Sequence, residues 1–288
     1  MIGDDAIIMP PPVQAIQIDD AGDPRITEYL ALRERGLRGG HGQDGVFIGE
    51  AVLVVAVMLE TKGLTRSVLA SEKQAGRMAE MIANSNSPET PLFVAEEKII
   101  RSITGFDLHR GVLASGARAR VEERGLDEIM PDVKEDATIL VCDGIGNIDN
   151  IGLLFRNAAA FGVDAVILSP ECHDPLYRKS LRVSIGHALR VPWHRSRDWD
   201  MTLQRLRDEF GVTLIGTSIE SDSVPLDEIE PPARVGIVMG SEFSGIGPVS
   251  LKNCAMSTRI PMMKGTDSLN VGVAAAVCLH KFTRSNRI

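Results

Sequence analysis

Arg259-Ile-Pro-Met-Met-Lys-Gly-Thr-Asp-Ser-Leu-Asn-Val-Gly-Val-Ala-Ala-Ala-Val-Cys-Leu-His-Lys-Phe282 decides the reading of this chain. It begins as a short apolar strand and bends at Lys264-Gly265-Thr266. A helix then opens at Ser268 or Asn270, both good N-cap residues. Val271, Gly272, Val273 and Ala274-Ala275-Ala276 are small and apolar, so another backbone can come close to this helix. A strand, a glycine turn and a polar helix start gather free backbone N–H groups in one place, which suits a ligand.

Working outward, the 152 residues 137–288 alternate between strands and helices. Apolar strands are expected at Thr138–Cys142, Ala165–Leu168, Val212–Gly216, Val235–Met239 and Ser257–Ile260. Helices are expected at Ile151–Phe161, Ser180–Leu189 and Asp200–Phe210. A second, shorter alternation runs from Ala15 to Ala114, with a helix from Asp23 or Thr27 through Arg35 and a glycine-rich loop at Gly36–Gly45. It implies a small α/β sandwich with a largely parallel sheet. Residues 116–136 are charged and irregular and read as a linker. The expected domains are therefore 1–116 and 137–288, joined by 117–136.

Two further segments in the larger domain carry chemistry. In Asn150-Ile-Gly152-Leu-Leu-Phe-Arg156, an Asn stands at a helix start and an Arg follows inside an apolar run. The Arg fork suits phosphate. Capping by Asn150 and an Arg156 that only reaches for water would explain the same residues. In Met239-Gly240-Ser241-Glu242-Phe243-Ser244-Gly245-Ile246-Gly247 a strand ends in glycines around one carboxylate. This is not a dinucleotide fingerprint, because it lies late in the domain, and neither spaced glycine pair follows the first strand with an acidic residue about 20 positions on.

The net charge of −8 argues mildly against bulk nucleic-acid binding, but it is unevenly spread. Residues 1–115 hold 11 Lys/Arg against 16 Asp/Glu, whereas residues 137–288 hold 16 of each. The second domain concentrates Arg178, Lys179, Arg182, Arg190, Arg195 and Arg197 in one stretch, and a local patch can bind phosphate whatever the total charge. A solvated face of intrahelical ion pairs is the competing explanation. The four cysteines have no Cys-x-x-Cys pair, and His173, His187 and His194 lack metal-ligand spacing, so reduced thiols and no metal are expected. The longest apolar run, Ala51 to Leu59, is far below the roughly 20 residues of a membrane span. A cytoplasmic protein is expected.

In type, order and spacing, Asn150/Gly152/Arg156, Gly240-Ser241-Glu242 and Ser268-Leu269-Asn270-Val271 resemble the three motifs of the SpoU/TrmH family of RNA ribose 2'-O-methyltransferases, of the knotted SPOUT class. Arg182-Val-Ser184-Ile-Gly186 is similar to the family's segment between the first two motifs. Residues 15–115 resemble, more loosely, the L30e-like substrate-binding domain of many members. Two departures are visible: the usual Asp-Pro is Asn147-Ile148, and the glycine expected after Glu50 is Ala51.

The resemblance implies a C-terminal α/β trefoil-knot domain with a parallel sheet. It implies S-adenosylmethionine held by Met239, Gly240, Ile260, Met262 and Leu269. Arg156, Asn150, Glu242, Ser268 and Asn270 would form the catalytic set, with Arg156 on the phosphate beside the target ribose. Arg182, Arg178, Lys179, Arg25 and Arg110 are candidate RNA contacts. A homodimer through the knot is implied, with ribosomal RNA favoured over tRNA as substrate. A tRNA methyltransferase, or an inactive RNA-binding or ribosome-assembly factor of the same fold, is the alternative.

Overall fold

The structure is a computed structural model that describes residues 13–30, 32, 45–108, 111–122, 124–220, 222–263, 265 and 268–283. The chain divides after Arg120 into two compact units. Residues 36–44 of the expected glycine-rich loop and 33–35 of the first expected helix, like Arg110, lie outside the described residues.

In the first unit, strands β1 (Ala15–Gln17), β2 (Val46–Glu50), β3 (Thr65–Ser71), β4 (Leu92–Ala95) and β5 (Val112–Ala117) form one sheet in the order β1-β4-β3-β5-β2. Helices α1 (Val52–Glu60), α2 (Glu72–Ala83) and α3 (Glu97–Thr104) connect them. The expected largely parallel sheet is in fact mixed. β1, β4 and β3 are parallel, but β5 runs antiparallel to β3 and β2 antiparallel to β5. Strand–helix alternation fixes layering, not direction. After α3 the chain returns beside the end of β3, where Ser71 N donates to Gly111 O at 2.8 Å, so β5 must run back along β3. The expected helix after Asp23 opens as a 3-10 stretch, Pro24–Tyr29, capped by the Asp23 carboxylate. It buries Tyr29, whose hydroxyl donates to Ser67 O at 2.9 Å and accepts from Ser115 N at 3.2 Å.

Ala51, the residue standing where the resemblance expects glycine, has φ 88° and ψ 149° and is buried between β2 and α1. A Cβ makes that conformation strained. Ala51→Gly is expected to stabilise the protein by about 1 kcal/mol, the strain released exceeding the methyl burial lost. Urea unfolding measures this, and a lower midpoint for the variant would show that the buried methyl dominates.

The second unit contains a seven-stranded sheet, parallel throughout, in the order β10-β12-β9-β11-β6-β7-β8. The strands are β6 (Ala137–Cys142), β7 (Ala165–Leu168), β8 (Trp193–Arg195), β9 (Thr213–Thr217), β10 (Val224–Pro225), β11 (Arg234–Met239) and β12 (Met256–Arg259). The central strands β6, β7 and β11 are wholly buried and, apart from Thr138 and Arg234 near their starts, read as apolar runs, as suits two-sided parallel strands. Two short helices precede β6, α4 (Ala119–Glu122) and α5 (Leu126–Ile129). Later helices are α6 (Ile148–Ala160), α7 (Arg178–Val183), α8 (Trp199–Asp208), α9 (Pro248–Asn253) and α10 (Val271–Phe282).

The expected linker 117–136 is largely structured. Leu126 and Ile129, on one face of α5, belong to the same core as Ile139, Val141, Leu206 and Val238. The buried Arg234 guanidinium then clamps the segment that follows, donating to Asp132 O at 2.8 Å, to Glu135 O and to Phe210 O at 2.7 Å. Charged neighbours masked a short amphipathic turn. The expected Ser180–Leu189 helix is also interrupted: Ile185 and Gly186 take φ of 54° and 79°, which ends α7 and leaves a separate 3-10 turn, His187–Leu189.

Candidate active site

Three neighbouring strands, β12, β9 and β11, end on the same side of the sheet. Their carboxyl-end loops surround a cleft of about 670 Å³. Such crevices beyond the carboxyl ends of parallel strands are where α/β folds bind ligands. The β11 loop contributes Gly240 through Ile246, the β12 loop Ile260, Met262, Ser268, Leu269 and Asn270, and the β9 loop Thr217 through Glu220. All five residues expected to hold a cofactor, Met239, Gly240, Ile260, Met262 and Leu269, line it. The β9 contribution had no motif to announce it.

Gly240 is required by contact. A Cβ there would stand 2.2 Å from Gly245 C and 2.3 Å from Ile246 N. The turn beyond it closes through Ser241 N to Gly245 O and Gly245 N to Ser241 O, both 3.0 Å. Gly247 N donates to Asp143 Oδ2 at 2.7 Å, tying this loop to the one that follows β6.

At the lip of the cleft three separate segments meet. Asn270 is the N-cap of α10, its Oδ1 accepting from Gly272 N at 2.9 Å. With Oδ1 committed as acceptor, its Nδ2 must donate, and it reaches Asn150 Oδ1 at 2.9 Å and Glu242 Oε1 at 3.1 Å. Asn150 Nδ2 completes the ring with a 2.8 Å bond to Glu242 Oε1. Every donor and acceptor in this ring is consistent with the cap. Glu242 Oε2 keeps its acceptor capacity.

Asn150 is not the cap of its helix, as the sequence suggested. Asn147 is, accepting from Asp149 N and Asn150 N. Asn150 therefore sits in the first turn of α6, buried, with its amide turned to Glu242. Arg156, less than two turns further along α6, is exposed and has no hydrogen bond or ion pair among the described residues. α6 and α10 are held in register by Asn157 Nδ2 donating to Gly272 O at 2.6 Å. A Cβ on Gly272 would lie 2.9 Å from Leu153 Cβ, so the close approach expected of the last helix occurs here. The opposite face of α10, Val273 and Val277, is exposed.

Ser268 is exposed on the cleft wall. Of the expected RNA contacts, Arg178, Lys179 and Arg182 lie on α7. Lys179 pairs with Asp149 at 2.7 Å, both about half exposed. Arg25 belongs to the first unit and is engaged by Asp23, whose carboxyl its hydrogen bonds pull down to about 2. Arg110 lies outside the described residues.

The thiols are not candidates for nucleophilic chemistry. Burial pushes Cys278, on the cleft wall, up to about 12, and Cys254 up to about 11 with help from Asp143. It raises Cys142 and Cys172 as well. All four stay protonated near neutral pH. Among the described residues no group of three His, Cys, Asp or Glu side chains is placed to hold a metal ion.

A parallel α/β sheet with one cleft at its carboxyl ends, rimmed by a carboxylate–amide ring, defines a ligand-binding α/β enzyme domain. Residues 137–280 match the model of the SpoU rRNA Methylase family. An uncharacterised tRNA/rRNA methyltransferase of Mycobacterium tuberculosis is 34% identical over 92% of this chain and 91% of its own. The 23S rRNA (guanosine-2'-O-)-methyltransferase RlmB of Ralstonia nicotianae is 27% identical over 84% of this chain and 96% of its own. The AdoMet-bound rRNA methyltransferase of Sinorhizobium meliloti shares the fold, with a TM-score of 0.74 at 23% identity over 94% of this chain and 98% of that one. The chain belongs to the SpoU rRNA methylase family.

Proposed function

We propose that this protein transfers the methyl group of S-adenosylmethionine to a ribose 2'-hydroxyl of ribosomal RNA. The observation that carries the reading is the ring Asn150–Glu242–Asn270, which brings three distant motifs together at the lip of one cleft. Membership of the family supports the reaction class, and the relative named as a 23S rRNA methyltransferase supports ribosomal RNA over tRNA.

The cleft suits the cofactor in size and chemistry. Its volume lies within the range of small-molecule sites, and it combines apolar walls (Ile246, Leu251, Val271, Ala274) with the tight backbone turn at Gly240. S-adenosylmethionine supplies a methyl carbon on a positively charged sulfur, already a good leaving group. The protein must then hold a hydroxyl in line and bind its RNA. Arg156 takes the phosphate beside the target ribose with its fork. A guanidinium carries five N–H donors and no acceptor, so Arg156 positions the phosphate and does not take the hydroxyl proton directly. Glu242, fixed by two amide donors, offers its remaining oxygen as an acceptor to a ribose hydroxyl. Ser268, two residues before Asn270, adds a hydroxyl to the cleft lining.

Two copies associate through the exposed face of α10 that carries Val273 and Val277, whose spacing of four puts both on one side of the helix. The protein works in the cytoplasm, and no helix among the described residues is long and apolar enough to cross a membrane.

The test is transfer of labelled methyl from S-adenosylmethionine to unmodified ribosomal and transfer RNA pools kept apart, followed by digestion to nucleosides. Label in a 2'-O-methylnucleoside of ribosomal RNA is the expected result. Label confined to tRNA would reassign the substrate. No label in either pool or in assembled ribosomal particles, with cofactor binding shown by calorimetry, would leave an inactive RNA-binding factor.

A further inference from the structure

Phe243 gains nothing from folding: its exposure is 101% of the reference value. Single exposed apolar residues are common, but this ring is held out on a built platform. It stands in the turn closed by the two Ser241–Gly245 backbone bonds. Within that turn Ser244 N donates to Ser241 Oγ at 3.1 Å, and the two serine hydroxyls pair at 2.7 Å. Gly240 packs against the far side of the turn, too close to admit a methyl group. On its other flank the preceding residue, Glu242, is fixed by Asn150 and Asn270. The backbone that carries the ring is therefore fixed at the edge of the cleft, where Phe243 itself contributes to the lining. The ring is presented to solvent one residue along the chain from the carboxylate at the reaction centre. In the β9 loop that lines the same cleft, Ile219 adds a second exposed apolar side chain.

We infer that Phe243 is the stacking platform for an unpaired RNA base next to the target ribose. The inference rests on the RNA-methylation reading above and assigns a residue to it. A ribose can reach the Glu242 ring at the cleft lip only when its nucleotide is drawn out of a regular helix, and the bases around it then lose stacking partners. An aromatic face restores one and accepts any base. Phe243 thus supplies affinity for an opened RNA strand and leaves sequence choice to other contacts.

Methyl transfer by the wild-type protein, measured first, tests the underlying reading by itself; its failure would remove that reading and this assignment with it. With the RNA that accepts methyl, Phe243→Ala is expected to raise KM for RNA about tenfold. kcat should stay within about twofold, and the calorimetric Kd for S-adenosylmethionine should not move. Phe243→Trp is expected to recover the RNA affinity. Its added indole should be quenched when the RNA is titrated in, over and above the signal of Trp193 and Trp199 in the wild type. An unchanged KM in Phe243→Ala would overturn the assignment. A matching loss of cofactor affinity would give the ring to the cofactor, and a smaller species in sedimentation would give it to a contact between copies; either result overturns it too.

Discussion

Arg156→Ala is expected to lower kcat by about 10²–10³-fold, the usual loss when one charged or hydrogen-bonding group is removed from a reacting centre. The Kd for S-adenosylmethionine should be unchanged, because Arg156 is not among the residues lining the cleft. Stability should move by no more than about 0.5 kcal/mol, since the side chain is exposed and has no internal partner among the described residues. Single-turnover methyl transfer at saturating RNA separates this from a binding defect. Arg156→Lys refines the result. Lysine keeps the charge but loses the planar fork, so a loss of about 10-fold is expected if the group grips a phosphate. If Arg156→Ala still binds RNA and turns over at the wild-type rate, the role given to Arg156 is wrong. If Lys and Ala lose equally, the fork matters and the charge does not.

The central sheet was legible because its strands are buried on both faces. Thr138–Cys142 and Val235–Met239 carry continuous apolar runs that survive any choice of register. β8 and β10 were not, because strands of three and two residues hold no period. Strand direction in the first unit was hidden for a different reason. It depends on which end of the sheet the chain re-enters at Gly111, and no local pattern records that. Leu126 and Ile129 were overlooked among charged neighbours, although their spacing of three puts both on one helix face.

The site divides along the same line between local and distant order. Glu242 was visible as a lone carboxylate among glycines, and Asn270 as one of two possible caps. Choosing between the caps needed the Gly272 amide. The role of Asn150 was less visible, since a capping Asn and a buried Asn look alike in sequence. What separates them is Asn147, three residues earlier, which takes the cap and leaves Asn150 to bond a carboxylate 92 positions away. Thr217–Glu220 enters the cleft only because β9 lies between β11 and β12 in the sheet.

Gly240→Ala is expected to weaken S-adenosylmethionine binding by more than about 100-fold and to destabilise the protein by about 2–3 kcal/mol. The added Cβ would fall 2.2 Å from Gly245 C, 2.3 Å from Ile246 N and 2.4 Å from Gly245 O. These are backbone atoms, so no rotamer change can clear them. Gly245 is pinned by its two bonds to Ser241, and the strand side of the loop by the sheet. The turn must therefore open, and it carries Glu242 with it. Once Glu242 moves, Asn150 Nδ2 loses its partner in a buried setting and Asn270 loses one of its two. The β11 wall of the cleft is displaced at the same time. Gly146→Ala is the matched control, in the loop after β6, where an added Cβ meets nothing within 4 Å and φ is not positive. It should leave binding intact and stability within about 0.5 kcal/mol. Calorimetric titration with S-adenosylmethionine and urea unfolding of both variants decide the matter. A Gly240→Ala protein that binds the cofactor like the control would mean that this turn is not part of the cofactor site, and the cleft would then need another ligand.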